Sequence, residues 1–536
     1  MVNLSLLFIF LSFSFIVLVK PLNIIASPSS IPQSTPINIT WSDADPSSSN
    51  DWVAFWHIGE SGPPAQNFVQ YSWQYTYGGQ SILPTASDQH PPATGTIAIT
   101  APISPGTYTV YYCLAGGFNC PASTVVMVTP TERLHPTCTE SDCGKKTMSN
   151  IEHIIFLVTE NHSFDSLYGA YCEAPVGSHP TCNNGPQCCE AAPASLGVLK
   201  PFQLNNLENT IYDPDHTQQG EVCKQNNGRL NNFITGCPNT SSPLNFAVAD
   251  AKTAYEYFDL AKKYSLADNF FQSAVGASSE NDMYLMTGEF LFLDDQVSPQ
   301  NPELIGARCY FLSPTNVYLS YYNPTILDLL DTCNVTWSIY SQGYAQNPGP
   351  TDCYPFFYDA TDLPSSYFPS LTLNRDENWK DLDEFYRDVR FRKLPAYSFI
   401  KALGVNSEHP ETVLSYGEEI TEKIVNTIMN SVHYRKNTLI ALIPDESGGF
   451  FDHIPPPHVS TIDGQPYGMR IPLVLIGGAV KKNYVSHVLM EPTSLLKFIE
   501  WNWFNGETGQ LGTRDQIVYN IGDMLDPDIA GRVPIF

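Results

Sequence analysis

The spacing of hydrophobic residues changes near residue 150, and the change divides the chain into two predicted regions. Before it, short runs such as INITWSD, DWVAFWHI and GTYTVYYCLA alternate between apolar and polar residues, with turns rich in Gly, Pro, Ser and Asp between them. Such alternation is typical of antiparallel strands that bury one face. Residues 27–129 are therefore predicted to form a small immunoglobulin- or fibronectin-like β-sandwich, followed by a linker at 130–150.

From residue 151 to residue 536 the pattern predicts an α/β domain. The runs HIIFLV, NTLIALI and IPLVLIGG are continuously apolar, as in parallel strands that are buried on both faces. Residues 243–265, 415–434 and 491–504 instead repeat their apolar positions at helical spacing. We expect a sheet with helices on both faces and with functional residues at the carboxyl ends of its strands.

The first residues of the chain predict export. Residues 4–19 form an uncharged apolar run of signal-peptide length, and Pro and small residues follow it. Residues 1–26 are therefore assigned to a signal peptide, with processing near Ala26. An uncleaved membrane anchor is the alternative, although the run is shorter than the roughly 20 residues of a spanning helix. The mature protein is expected to lack a transmembrane anchor and to be secreted, extracellular or endolysosomal.

Cysteine content and charge restrict the class of protein further. Thirteen cysteines fit an oxidising compartment, and Cys113–Cys120 and Cys138–Cys143 are predicted to be local disulfides. Six more cysteines crowd residues 172–237 without paired CxxC motifs, which favours disulfides over a metal site. The formal net charge of −27 argues against a nucleic-acid partner, whose phosphates require Lys and Arg.

Polar residues directly after the apolar runs carry the candidate chemistry. Glu160 and Asn161 follow HIIFLVT, and Asp445 and Glu446 follow NTLIALIP. Carboxylate and amide oxygens suit a hard or borderline divalent cation. Ser278 follows a turn of small residues that would present its hydroxyl. A cation beside that hydroxyl would lower its pKa and bind a phosphoryl oxygen, as phosphoester hydrolysis requires.

Each of these motifs also has a structural interpretation. Glu160 and Asn161, helped by Ser163, would serve as an ordinary helix cap. Asn161 also begins an Asn-His-Ser glycosylation sequon, but the buried strand before it favours a ligand over a glycan acceptor. Three further sequons lie in polar, turn-rich segments and support secretion: Asn38, Asn239 and Asn334.

Taken together, these segments resemble the phosphoesterase family of phospholipases C and acid phosphatases, which has an alkaline-phosphatase-like fold. The matching segments include IEHIIFLVTENHSFDSLYG, YSLADNFFQSAVGASSENDMYLMTG, DESGGFFDHIPPP and YGMRIPLVLIGGAV. The resemblance implies a divalent metal cation held by Glu160, Asn161, Asp445 and Glu446. It also implies that Ser278 is the nucleophile.

The resemblance further implies roles for polar residues near the metal. His216 and His409 match histidines that contact phosphate or the leaving group, and His162 and Asn281 are the predicted substrate-binding residues. Three residues stand where the family pattern has Arg, His and His, respectively: His162, Asp282 and Ser447.

The predicted function is hydrolysis of a phosphoric ester, either a phospholipid or a small phosphomonoester, through a phosphoseryl intermediate. The three departures from the pattern leave a second interpretation open, namely a binding protein with this fold and little or no turnover. Sulfate ester hydrolysis is disfavoured because the chain has no Cys-x-Pro-x-Arg sulfatase motif.

The first region has a resemblance of its own. Its segments ITWSDADPSSSNDWVAFWHIGE, YSWQYT and GTYTVYYCLAGGF are similar to the fibronectin-like domain of purple acid phosphatases. No metal motif of that enzyme follows, so the region is interpreted as an accessory domain. Its aromatic residues are predicted to pack in the core and at sheet edges rather than to bind carbohydrate: Trp52, Trp56, Trp73 and Tyr111.

Overall fold

The computed structural model of the chain divides into two compact units, Met1–Thr131 and Glu132–Phe536. It describes residues 22–32, 36–43, 51–57, 73–75, 94–101, 106–114, 119–129, 143–226, 228–292, 297–299, 317–319, 321, 323–344, 358, 360–372, 375–457, 460 and 462–534. The apolar run of the predicted signal peptide and most of the predicted linker lie outside these residues. The predicted domain limits therefore stay predictions.

The described part of the first unit is built from β-strands. The strands are β1 Asn23–Ser27, β2 Ser30–Pro32, β3 Pro36–Ser42, β4 Trp52–His57, β5 Trp73–Tyr75, β6 Gly95–Thr100, β7 Gly106–Leu114 and β8 Asn119–Thr129. One sheet has the order β1-β3-β6 and the other β2-β8-β7-β4-β5. Every named pair is antiparallel except β2 with β8. The predicted all-β region is confirmed, whereas its fibronectin-like identity stays a prediction.

Alternation along the strands accounts for the core of this unit. Ile37, Ile39 and Trp41 alternate along β3 and join one apolar cluster with residues of β4 and β7. Trp52 and Trp56 belong to a second cluster, and both are buried. The packing role predicted for these two tryptophans is therefore confirmed, because a carbohydrate platform would need exposed rings.

The first strand bears on the predicted processing position. β1 lies across Ala26, which pairs with Ile39 of β3. A chain processed near Ala26 would lose most of β1 and uncover the edge of β3. The predicted limit at residue 26 stays a prediction; in the full-length chain residues 23–27 are part of the sheet.

The second unit mixes strands and helices. Its described strands are β9 His153–Thr159, β10 Phe202–Leu204, β11 Ala247–Ala249, β12 Ser265–Ala267, β13 Val297–Pro299, β14 Val317–Leu319, β15 Trp337–Ser341, β16 Trp379–Asp381, β17 Tyr397–Lys401, β18 Thr438–Pro444, β19 Leu473–Gly477 and β20 Tyr484–Ser486. Its described α-helices are α1 Phe164–Tyr168, α2 Asn206–Asn209, α3 Gln218–Gln225, α4 Tyr255–Lys263, α5 Ser278–Tyr284, α6 Ile326–Thr332, α7 Pro369–Thr372, α8 Arg375–Asn378, α9 Leu382–Phe391, α10 Leu414–Met429, α11 Pro492–Trp503 and α12 Pro527–Ala530.

An eight-stranded mixed sheet in the order β16-β15-β17-β9-β18-β19-β12-β20 organises this unit. The strands from β16 to β18 are parallel, so the predicted parallel α/β sheet is confirmed there. The prediction is wrong for β19, which pairs antiparallel with β18. A parallel neighbour requires a crossover connection, usually a helix, and the described residues between β18 and β19 contain none.

The predicted helices are confirmed in two places and corrected in one. Helices α10 and α11 lie in the predicted segments 415–434 and 491–504, although α10 ends at Met429, and within the segment 243–265 only Tyr255–Lys263 is α-helical. Before that helix, the Asp250 carboxylate accepts hydrogen bonds from the backbone of the next residues and stabilises a turn instead. Among the described helices, none has the length and apolar character needed to cross a membrane.

Strand β9 lies at the centre of the sheet, and both of its faces are buried. Ile155 and Leu157 pack in one apolar cluster with residues of α1, α4, α9 and α10. On its two sides, β17 and β18 run parallel to it. The carboxyl ends of these three strands therefore lie next to one another at one edge of the sheet.

Five disulfides join the ten cysteines that the structure describes. Cys113–Cys120 is confirmed, but Cys143 pairs with Cys333, so the predicted Cys138–Cys143 bridge is wrong. Cys138 itself lies outside the described residues. Spacing misled the prediction because the fold, rather than the sequence separation, brings Cys143 to the end of α6. The six crowded cysteines form three bridges, as predicted in kind: Cys172–Cys189, Cys182–Cys188 and Cys223–Cys237.

We predict that peptide mapping without reduction will recover Cys143 bonded to Cys333. Replacing both by Ala should destabilise the second unit by about 2–4 kcal/mol, since the bridge closes a long loop. Chemical denaturation followed by intrinsic fluorescence measures this change. The matched control replaces Cys113 and Cys120 by Ala, which should leave the transition of the second unit in place. Recovery of Cys143 bonded to Cys138 would contradict the assignment.

Candidate active site

Three charged side chains meet where three parallel strands end. Glu160 follows β9, Asp445 follows β18, and Lys401 is the last residue of β17; all three are buried. The Lys401 ammonium lies 2.6 Å from Glu160 Oε1, 3.7 Å from Asp282 Oδ2 and 3.9 Å from Asp445 Oδ2. Burial alone would lower the pKa of Lys401, but Asp282 and the other carboxylates raise it well above its usual value. The strand ends therefore hold an acidic cluster with one ammonium inside it.

The loops after β9 and β18 are joined by their backbones. Asn161 has φ +60°, a left-handed conformation that Asn tolerates better than most residues, and its N–H donates to Asp445 Oδ1 at 3.0 Å. The N–H of His162 donates to the carbonyl of Glu446 at 3.1 Å. A Cβ on Gly448 would lie 2.2 Å from the carbonyl oxygen of Asn161, so glycine is required for this close approach.

The atoms around the side-chain amide of Asn161 show whether these residues could hold a metal ion. One end of the amide lies 3.2 Å from Asp445 Oδ1, 3.2 Å from Ser278 Oγ and 3.0 Å from Glu446 Oε1. The other end lies 3.0 Å from His409 Nε2. Without a cation, the amide nitrogen has to face the three oxygens, because it can donate to them. With the amide oxygen turned inward, it meets the oxygens of Asp445, Glu446 and Ser278. These four oxygen atoms then need a cation to offset their mutual repulsion.

The dimensions of this oxygen cluster fit a small divalent cation. Oxygen ligands about 2.1 Å from Mg²⁺ lie about 3.0 Å apart at adjacent octahedral positions. Asp445 Oδ2 is buried and accepts no hydrogen bond from the described residues, so it offers a further free acceptor. Asn161, Asp445 and Glu446 thus form the part of the predicted metal site that the structure brings into direct contact.

Ser278 touches this cluster. It is the first residue of α5, and its hydroxyl is hydrogen-bonded to the Asn161 side chain at 3.2 Å. Ser279, the alternative hydroxyl, is completely buried, whereas Ser278 retains 4% exposure. Of the two serines, Ser278 therefore has the observed contact with the oxygen cluster.

Asn281 braces the turn before Ser278. Its Oδ1 accepts from the Ala274 N–H at 3.0 Å, and its Nδ2 donates to the carbonyls of Gly276 and Ala277, each at 3.0 Å. All these partners are backbone atoms of the turn. The substrate contact predicted for Asn281 stays a prediction; the observed bonds make it a positioning residue for Ser278.

His216 and His409 face each other beside the oxygen cluster. Their ring centroids are 6.0 Å apart, and Asp213 Oδ1 lies 3.6 Å from His216 Nδ1. Each of the three residues offers a ligand atom within 4.8 Å of the others, so they form a second group able to hold a metal ion. Burial lowers the pKa of His409, but Glu160 and Asp213 raise it more, and the net pKa is above its usual value.

His162 supports the site from behind. Its ring is fully buried and stacks on Phe450, with centroids 5.3 Å apart. Nδ1 lies 2.8 Å from the carbonyl oxygen of Glu160, and Nε2 lies 3.3 Å from Asn209 Oδ1. Burial lowers the pKa of His162 to about 4, so the ring is neutral at neutral pH. It does not supply the positive charge of an Arg at this position, and its predicted substrate contact stays a prediction.

Ser447 belongs to a buried network under the loop that follows β18. Its hydroxyl donates to Glu221 Oε1 at 2.8 Å, and its N–H donates to Gln272 Oε1 at 2.9 Å. Lys224, one helical turn after Glu221, donates to the carbonyl of Gly449 at 3.0 Å. The residue that stands in place of the family's His thus anchors the loop of Asp445 and Glu446.

A second buried acidic group has a structural explanation. Asp165, Asp452 and His453 also place ligand atoms within 4.8 Å of one another. Here, however, Arg470 lies 3.1 Å from Asp165 and 3.0 Å from Asp452. The guanidinium provides the positive charge that a metal would otherwise supply, so this cluster is an ion-pair network.

Among the predicted site residues, the structure joins Asn161, Asp445, Glu446, Ser278 and His409 through direct contacts. Three other predicted residues are connected to this group indirectly. Glu160 is connected through Lys401, His216 through His409, and Asn281 through the turn before Ser278. The catalytic, substrate-binding and metal roles of all these residues stay predictions. Sequence reasoning missed Lys401, although a charged residue ending the apolar segment YSFIK carries the same signal that identified Glu160.

Acids and an amide at the ends of parallel strands, with a serine at the start of α5 in contact with them, place the protein in the class of α/β proteins whose sites suit phosphoester chemistry. The chain belongs to the phosphoesterase family, whose sequence model matches residues 151–504. The resemblance predicted for the second region is therefore confirmed.

The chain is also similar to proteins that are named phospholipases C. Non-hemolytic phospholipase C of Burkholderia pseudomallei is 25% identical over 403 residues, which cover 66% of this chain and 55% of that protein. Phospholipase C B of Mycobacterium tuberculosis is 26% identical over 396 residues, 66% of this chain and 73% of that protein. Non-specific phospholipase C6 of Arabidopsis thaliana is 24% identical over 375 residues, 64% of this chain and 65% of that protein. The chain spans about half the length of the Burkholderia protein.

We predict that Asn161 carries no glycan when the protein is expressed in a secretory system. Its side chain is fully buried among oxygens of the site, whereas the other sequon residues are exposed and serve as internal controls: Asn38, Asn239 and Asn334. Glycopeptide mapping by mass spectrometry tests this. Sugar on Asn161 of the folded protein would contradict its placement in the site.

Proposed function

We propose that this protein is an exported, metal-dependent phosphoester hydrolase of phospholipase C or acid phosphatase type. The observation that carries the proposal is the contact between Ser278 and Asn161. It places a nucleophile candidate 3.2 Å from an amide that also meets Asp445 and Glu446. Family membership and the names of the relatives support the same chemistry.

The proposed reaction has two displacement steps. Ser278 Oγ attacks phosphorus and forms the O–P bond of a phosphoseryl intermediate while the bond from phosphorus to the leaving alkoxide breaks. Water then attacks phosphorus, and the Ser278 O–P bond breaks to release phosphate or a phosphomonoester. A divalent cation at Glu160, Asn161, Asp445 and Glu446 would supply Lewis-acid stabilisation of phosphoryl charge.

Protons in this reaction would pass through the paired histidines. His409 lies against Asn161 and His216 lies against His409, so the pair is connected to the nucleophile candidate through the Asn161 amide. One ring of this pair would donate a proton to the leaving oxygen and then accept a proton from the attacking water.

Phospholipid is the first substrate to test, because the relatives are named phospholipases C. A binding protein without turnover is the second candidate function. The observation that favours it is the Lys401 ammonium 2.6 Å from Glu160, where it already satisfies one proposed metal ligand.

A substrate panel tests the proposed function. Purified full-length protein, dialysed against EDTA, is assayed on phosphatidylcholine micelles and on p-nitrophenyl phosphate before and after addition of Mg²⁺, Ca²⁺, Mn²⁺ or Zn²⁺. We expect hydrolysis of at least one ester that is absent after chelation and restored by one of the ions. Ion binding without hydrolysis of either ester would instead identify the binding protein.

The nucleophile is tested with two adjacent variants. Ser278→Ala should lower turnover by orders of magnitude, because no covalent intermediate can form. Ser279→Ala is the matched control, and it loses only a local hydrogen bond of about 1 kcal/mol. The resemblance to the family also favours Ser278, because the family's nucleophile lies three residues before an Asn and Asn281 stands at that position here. Acid quench during turnover should trap phosphate on Ser278, and label on Ser279 would overturn the assignment.

A further inference from the structure

Lys401 is a buried lysine among carboxylates, and the proposed reaction gives it no role. The side chain is 3% exposed, and carboxylates from three different elements surround it. Glu160 comes from the end of β9, Asp282 from α5 and Asp445 from the end of β18. The ammonium therefore connects the sheet edge with the helix that begins at Ser278.

The distances show how the ammonium interacts. Glu160 Oε1, at 2.6 Å, is the closest ion-pair partner of the ammonium. Asp282 and Asp445, at 3.7 and 3.9 Å, are held at ion-pair distance. Lysine suits this arrangement because its ammonium is a compact point charge that several carboxylates can share. A buried ammonium persists only when such partners replace its lost hydration.

We propose that Lys401 is a fixed cation of the active site, which neutralises part of its acidic cluster permanently and limits the site to a single divalent ion. The part that concerns the divalent ion rests on the proposed function. The cluster contains four carboxylates: Glu160, Asp282, Asp445 and Glu446. The ammonium is closest to Glu160 and Asp282, while the amide of Asn161 meets oxygens of Asp445 and Glu446.

A second divalent ion is excluded by charge and by space. It would need Glu160 and Asp282 as ligands, and the ammonium is already 2.6 Å from Glu160 and 3.7 Å from Asp282. Repulsion between an ammonium and a divalent ion a few ångströms apart is strong in a buried site. Lys401 is a positioning residue in this scheme, since it acts on phosphate only through the carboxylates that it holds.

Lys401→Met tests the proposal, because it retains the length of the side chain and removes its charge. Lys380→Met is the matched control. Lys380 also lies on a strand of the large sheet and pairs with one carboxylate, Asp388, at 2.7 Å, but it is not among the site residues. Two quantities are measured: the melting temperature in EDTA, and the number of Mn²⁺ or Zn²⁺ ions bound per chain after equilibrium dialysis.

In EDTA we expect Lys401→Met to melt well below both the wild type and Lys380→Met, because the carboxylates lose their shared counter-charge. With Mn²⁺ or Zn²⁺ it should recover stability and bind two ions per chain, whereas the wild type binds one. A Lys401→Met protein that melts like the wild type in EDTA and binds the same number of ions would overturn the proposal. A merely structural lysine would not change the number of ions.

A compensating variant keeps the test decisive if Lys401→Met does not fold. Lys401→Met combined with Asp282→Asn removes one positive and one negative charge together. It should fold, melt near the wild type in EDTA and bind a single ion. A double variant no more stable than Lys401→Met would overturn the fixed-charge role. If the wild type binds no ion and hydrolyses no ester, the proposed function fails, and rescue by Asp282→Asn in EDTA would still support the counter-charge.

Discussion

Buried negative charge is the constraint on which the arrangement of the large sheet's carboxyl edge depends. A carboxylate that leaves water needs a positive charge or several hydrogen-bond donors in its place. Asp445 receives backbone N–H groups, Glu160 receives an ammonium, and the Glu446 Oε2 atom accepts from the N–H of Gly448 at 2.6 Å. The loops after β9 and β18 have the conformations that supply these donors. The acids are thus held in place before any ligand arrives.

The same requirement explains the unusual backbone of the site. Asn161 adopts a left-handed conformation, and Gly448 lets the two loops approach more closely than a Cβ would permit. Both features direct N–H groups toward carboxylates instead of solvent. Local strain is therefore balanced by satisfied buried charge, which is the usual condition for strained residues at functional sites.

The sequence predicted what depends on local pattern and missed what depends on tertiary pairing. The apolar runs that became β9 and β18 identified strands, and the polar residues after them identified the site. A run of apolar residues does not encode strand direction, so β19 was predicted to be parallel and is antiparallel. Cysteine spacing does not encode connectivity, so Cys143 was paired with the wrong partner. Lys401 was missed because a single lysine at the last position of a strand is, by pattern alone, indistinguishable from a solvated one.

The Asn161 amide links the acids to the nucleophile candidate. Its two possible orientations reverse the direction of the hydrogen bond with Ser278. With the amide nitrogen facing Ser278, the N–H donates to Oγ and engages a lone pair of the attacking atom. With the amide oxygen facing it, the hydroxyl donates instead, and the lone pairs of Oγ remain available. The second orientation also brings the amide oxygen to 3.2 Å from Asp445 Oδ1 and 3.0 Å from Glu446 Oε1, which requires positive charge. The orientation that frees the nucleophile is therefore the one that a cation at the acids stabilises.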